Sequence, residues 1–225
     1  MSTRAPVLAL MDVPLGSATR PLWRGRLHLF GLVAAVPLLV VLAILAGGAR
    51  ARGGVIVYAV GLCAMLAVSV TYHRWVHTVR ARAGWRRADH ATIYAAIGGT
   101  FTPLTLMAFG TSVSVVMLII VWGAAATGAG LKIVDWRHAD RVGVFLYLGI
   151  GWAGVLLVPA LWQQGGVACV ALVSAGGVAY TVGAIGFGRR WPTLGPSVFS
   201  YHEVWHVFTL LAAGSHLGAV WIVAT

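Results

Sequence analysis

The segment SYHEVWHVFTLLAAGSH, Ser200 to His216, carries histidines and a glutamate into an otherwise apolar run. His202 and His206 stand four residues apart, which on an α-helix stacks their imidazoles on one face about 6 Å apart along the axis. Two imidazoles so placed can share a metal ion. A catalytic zinc takes three protein ligands and keeps an open position, whereas a structural zinc takes four, so a further ligand has to come from another segment. SVTYHRWVH, Ser69 to His77, offers it: Ser69 and His73 repeat the spacing of four, and so do His73 and His77. Spacing alone admits either histidine as the third ligand; His73 is preferred because it lies nearer the apolar part of its run. Asp89 and His90 open the next apolar run in RADHATI. HEVWH also satisfies H-E-x-x-H, in which a glutamate between two zinc ligands acts as general base of a metalloprotease. The pattern has only three fixed letters and no acidic third ligand follows it, so Glu203 is expected to be an incidental neighbour at the cytoplasmic rim.

The elements that must position these groups are membrane helices. The 225 residues are 60% hydrophobic and 9% charged, with a mean hydropathy of +0.89, outside the range of soluble domains. Apolar runs long enough to cross about 30 Å of hydrocarbon occur at Leu27 to Gly47, Gly54 to Tyr72, His90 to Phe109, Val113 to Leu131, Gly143 to Leu161, Gly166 to Gly188 and Tyr201 to Ala224. These are seven spans. No strand-like alternation interrupts them, and in lipid a helix satisfies its own backbone. The expected fold is therefore an all-α, seven-transmembrane-helix bundle.

A net charge of +11 suits a nucleic-acid partner in a soluble protein. Here the sixteen Lys and Arg lie at or between the ends of the runs, which excludes that reading. Counted on alternate sides, Arg4, Arg20, Arg24 and Arg26, then Arg74, Arg80, Arg82, Arg86 and Arg87, then Lys132, Arg137 and Arg141, then Arg189 and Arg190 fall together, with only Arg50 and Arg52 opposite. The positive-inside rule then puts the amino terminus in the cytoplasm and the carboxyl terminus outside. All the candidate groups consequently belong to the inner leaflet. Residues 1–26, mixed in Pro, Gly, Ser and Arg, read as a flexible cytoplasmic tail, and residues 27–225 as one transmembrane domain. Thr102-Pro103 should bend the third span. The twenty-nine glycines suit close helix approach. Cys63 and Cys169 lie within spans as small hydrophobes. His28 and His138 read as interfacial, His90 as an outer partner of the site, and His216, about 21 Å beyond His202 along the axis, as a packed or hydrogen-bonded group.

Ser69-x3-His73, then Asp89 in DHATIYAAIGGTFTPL, then HEVWHVFTLLAAGSH resembles the hemolysin III family, bacterial relatives of the adiponectin and progestin receptor family. RPLWRGRLHLFG ahead of the first span is similar to the opening of its actinobacterial-type members, and the resemblance runs from about Arg20 onward. It implies a plasma-membrane protein with seven helices, a cytoplasmic amino terminus and a zinc site near the inner face. On this chain His73, His202 and His206 take the ligand positions, with Asp89 and Ser69 beside the water that zinc would hold. Receptor members have been linked to hydrolysis of ceramide-like lipids, and the bacterial name suggests cytolysis. Two functions of different classes are therefore expected: a zinc-dependent hydrolase of a lipid amide or ester, and a non-enzymatic receptor-like or membrane-perturbing protein whose zinc is structural. In the first, Asp89 orients the water or accepts its proton, and Ser69 hydrogen-bonds water or substrate. A membrane metalloprotease is the minor reading. A selective channel is disfavoured, since no ring of charges or polar chain crosses the outer leaflet.

Overall fold

A computed structural model describes residues 21–135, 138–195 and 197–225. The expected tail lies outside the described residues as far as position 20, as does Arg137. Among the described residues all regular structure is helical: α1 Arg26–Leu45, α2 Ala49–Val70, α3 Val79–Ala108, α4 Thr111–Ile133, α5 Ala139–Trp152, α6 Val158–Gly188 and α7 Tyr201–Ala224. A π-helical turn, Thr71–Trp75, extends α2, and a 3₁₀ turn, Ala153–Leu157, joins α5 to α6.

Six stretches among the described residues are long and apolar enough to cross a membrane. Five follow single apolar runs of the sequence. The sixth, Val142–Gly188, covers 47 residues and merges the two runs expected at 143–161 and 166–188. Inside it Gly166 has φ 63° and ψ −163°, so the helical path breaks there; this is backbone that only glycine adopts without strain. α3 begins at Val79, well before the expected His90, because helical hydrogen bonding continues through arginine-rich turns that hydropathy does not register. It runs through Pro103 as one helix.

Tight α2–α3 packing rests on missing side chains. A Cβ on Gly61 would come within 2.5 Å of the Ala95 carbonyl oxygen, and one on Gly54 within 3.0 Å of the Pro103 Cα. Small residues at such crossings let backbones approach and gain dispersion contact where lipid supplies no hydrophobic drive. Leu42, Val55, Tyr58, Leu66 and Val220 fill the interior behind them. Phe30, Val33 and Ile44 of α1 and Val116, Ile119 and Ile120 of α4 are exposed, as lipid-facing side chains must be in a protein whose solvent is hydrocarbon.

One end of the bundle is more elaborate than the other. The segment ahead of α1 pairs with the loop ahead of α7, Leu22 N–H donating to Ser197 O (3.0 Å) and Trp23 N–H to Val198 O (3.2 Å). Ser200 caps α7 in a capping box with Glu203. Thr78 caps α3, accepting from Ala81 N–H at 3.3 Å. These caps bring the start of α1, the end of α2 and the starts of α3 and α7 together.

Candidate metal centre

His202 and His206 project from the first two turns of α7, and His73 from the π turn that ends α2. A π turn inserts an extra residue and re-aims the side chains it carries, a device common at functional sites. Together the three form the metal-competent group of the described residues: one ring nitrogen from each lies within 4.8 Å of the others, and all three residues are buried. His73 Nε2 and His202 Nε2 are 3.2 Å apart. Two imidazoles bound tetrahedrally to one zinc at 2.0–2.1 Å have nitrogens about 3.3 Å apart, so this spacing fits a shared cation. The donor set fits as well, three neutral imidazoles leaving one position open. His77 is exposed and outside the group.

Asp89 comes from the third turn of α3, its Oδ2 3.8 Å from His73 Nε2. Ser69, one turn before His73, is buried and is a hydrogen-bond partner of Asp89. Ser69, His73, Asp89, His202 and His206 therefore face a common cavity of about 570 Å³. His90 lines it too, and His216 reaches its far end. His216 packs on Gly176 of α6, whose missing side chain makes room for the ring.

Two expectations are corrected. Glu203 is not a rim residue: it is 1% exposed. Its Oε1 accepts from Arg24 Nε at 2.5 Å, and its Oε2 accepts from Ser200 N–H at 2.7 Å and Ser200 Oγ at 2.6 Å. Three donors hold that carboxylate, and Glu203 is not among the residues lining the cavity. The physical cause is the cap: at the third position of α7 its side chain bends back to the helix start, away from the face that His202 and His206 share. Likewise His28 is not interfacial. It is 3% exposed and stacks on His206, with ring centroids 3.9 Å apart and planes 11° apart. The Thr209 hydroxyl donates its proton to His206 O at 2.8 Å. Its contact with His28 Nε2 at 2.9 Å must then run from the imidazole N–H to the Thr209 oxygen. This fixes the His28 tautomer and holds the backbone beside His206. The sequence signal for His28 was its position in the first turn of an apolar run, at the same end as the other histidines; the stack itself, between α1 and α7, has no local signature.

The chain matches a family model described as Haemolysin-III related over residues 17–217. It is similar to Hemolysin-3 of Bacillus cereus, 30% identical over 186 residues that cover 81% of this chain and 82% of that protein. The Hemolysin-3 homolog of Bacillus subtilis (strain 168) is 27% identical over 81% of this chain and 84% of its own. The human Monocyte to macrophage differentiation factor is 29% identical over 170 residues, 73% of this chain and 68% of that protein.

Proposed function

From a chain that belongs to the haemolysin-III-related family and is a multi-pass integral membrane protein, we propose a zinc-dependent hydrolase of a lipid amide or ester. The observation that carries the reading is the convergence of His73, His202 and His206, from two helices, beside an acidic group in a cavity that also has long apolar walls. Three imidazoles are the ligand set of a catalytic rather than a structural zinc. Bound there, the ion would supply Lewis-acid polarisation of a carbonyl and acidify water. Asp89 accepts a proton from the attacking water and returns it to the leaving nitrogen or oxygen, while Ser69 holds the carboxylate in position. The water oxygen stays on the acyl carbon as the C–N or C–O bond breaks, giving a fatty acid and an amine or alcohol. The apolar walls seat the acyl chain and keep bulk water from the reacting bond.

The same proposal takes the 47-residue stretch as two crossings that turn at Gly166, for seven in all, with the amino terminus and the zinc in the cytoplasmic half of a plasma membrane. The glycine-only backbone at Gly166 and the one-sided Lys and Arg support it.

Asp89→Asn separates this reading from a structural zinc. The expected result is retained zinc with turnover of an acyl lipid lowered about 100-fold or more, the range for losing a general base. Unchanged turnover with zinc in place would take the general-base role from Asp89, and no turnover by the zinc-loaded wild type would leave the metal as a pin between α2 and α7.

A further inference from the structure

A histidine that binds a metal through one ring nitrogen usually donates its other ring N–H to a carboxylate, a carbonyl or water, and that hydrogen bond fixes the plane of the ring. Among the described residues the hydrogen bonds of His206 involve its backbone and not its ring. Stacking supports the ring instead. The His28 imidazole lies almost parallel to it, with 3.9 Å between centroids and 11° between planes, whereas the rings of His73 and His202 meet it at 64° and 48°. His28 is itself clamped. Its Nε2–H donates to Thr209 Oγ1 at 2.9 Å, and the Thr209 hydroxyl donates to the His206 carbonyl at 2.8 Å. Stack and hydrogen bonds therefore close a circuit that begins and ends at His206. A neighbour fixed in plane against one face leaves the His206 imidazole little freedom to turn its ligating nitrogen away. The same residue joins α1 to the centre. Its buried residues are His28, Ala35, Leu39 and Leu42, so His28 is the one that anchors its first two turns. Three residues on, a Cβ at Gly31 would meet Leu210 of α7 at 2.4 Å, so the two helices touch closely here.

Resting on the metal centre, and independent of hydrolysis, we propose that His28 is a positioning residue of that centre. Its stacked ring holds the His206 imidazole in its ligating plane, and the cation in turn holds the start of α1 against α7. The second half follows from the first, because a contact that strengthens metal binding is strengthened by the metal in equal measure. His28 takes no ligand position: its Nε2 is committed to Thr209, and it lies outside the metal-competent group. Three helices, not two, then answer to the metal.

Cobalt is the probe, since imidazole sites accept it and its visible bands report coordination geometry where d¹⁰ zinc is silent. Metal-stripped full-length protein in nanodiscs is titrated with cobalt against a competing chelator, and amide hydrogen exchange is followed at residues 26–33 and 201–208 with and without metal. His28→Gln keeps an N–H donor for Thr209 but has no ring to stack. It is expected to bind cobalt about tenfold or more weakly, the range for losing an outer support of a ligand histidine, with shifted visible bands. His28→Phe, made alone and with Thr209→Ala to give the larger ring room, should return affinity and spectrum close to wild type. Metal should slow exchange at the start of α1 about tenfold in wild type and not in His28→Gln, while slowing the start of α7 in both. A residue that served folding alone would lower the metal-free melting temperature and leave the cobalt spectrum and the α1 response as they are. Wild-type cobalt affinity and spectrum in His28→Gln overturn the proposal, as do phenylalanine variants no better than His28→Gln, or an α1 that exchanges alike with and without metal. A wild type that takes up neither cobalt nor zinc sinks the metal centre and this proposal with it. Ring-dependent cobalt binding in a protein that hydrolyses no lipid upholds the proposal and removes the hydrolase reading alone.

Discussion

Glu203 stands between two candidate zinc ligands in the chain, yet its carboxylate serves Arg24 and the start of α7. A role in structure and a role in catalysis give opposite results on substitution. Glu203→Gln should lower stability by about 3 kcal/mol, because it leaves the buried Arg24 guanidinium without its counter-charge. It should leave zinc content intact. A melting curve and metal analysis of the same preparation check both; loss of turnover with unchanged melting would revive the general-base reading. At His28, Thr209→Val removes the oxygen that receives the His28 Nε2 proton. The buried N–H left behind should cost about 1–3 kcal/mol, seen as a lowered melting temperature, whereas Thr209→Ser should restore it. His73, His202, His206, Ser69 and Asp89 could be picked out of the sequence because each is a polar group at the edge of an apolar run, and such groups are few. The Arg24–Glu203 and His28–His206 contacts could not, since each joins the start of the described residues, at or just ahead of α1, to the last helix across most of the chain and no spacing rule reports on that.

The helices differ in how plainly their apolar runs mark them. α7 occupies Tyr201–Ala224, the bounds of its run, because a polar loop precedes it and the run changes abruptly. α3 extends through Arg80 to Asp89, where helix and charge coincide and hydropathy sees only loop. That hidden extension carries Arg82, Arg86 and Asp89, which line the cavity. The fifth run is interrupted by the 3₁₀ turn at Ala153–Leu157, and the fifth and sixth runs part at Gly166 rather than at a polar loop. Gly166→Ala tests the break. A Cβ there meets nothing within 4 Å, so any penalty comes from backbone alone, and about 1–3 kcal/mol is expected for an alanine in this conformation. Gly177→Ala, in regular helix with equally open space, should be neutral or slightly stabilising. Equal melting temperatures for both variants would mean that position 166 is helical in the membrane.

Across the whole molecule, the amino-terminal segment, α2, α3 and α7 close on one end of the bundle, and the cavity runs from that end into the hydrocarbon zone. The proposed orientation puts this end in the cytoplasm. A reporter active only outside the cell, fused after Thr225, should therefore be active, and one fused in the α6–α7 connection near Leu194 inactive; the reverse pattern would turn the site to the outer leaflet. The central claim is that helices from opposite ends of the chain share one cation. Zinc per chain in the purified protein measures it most directly: about one for the wild type and close to none when His202→Ala and His206→Ala are combined, because a lone imidazole at His73 cannot hold the ion. Full zinc retained by the double variant would contradict the account.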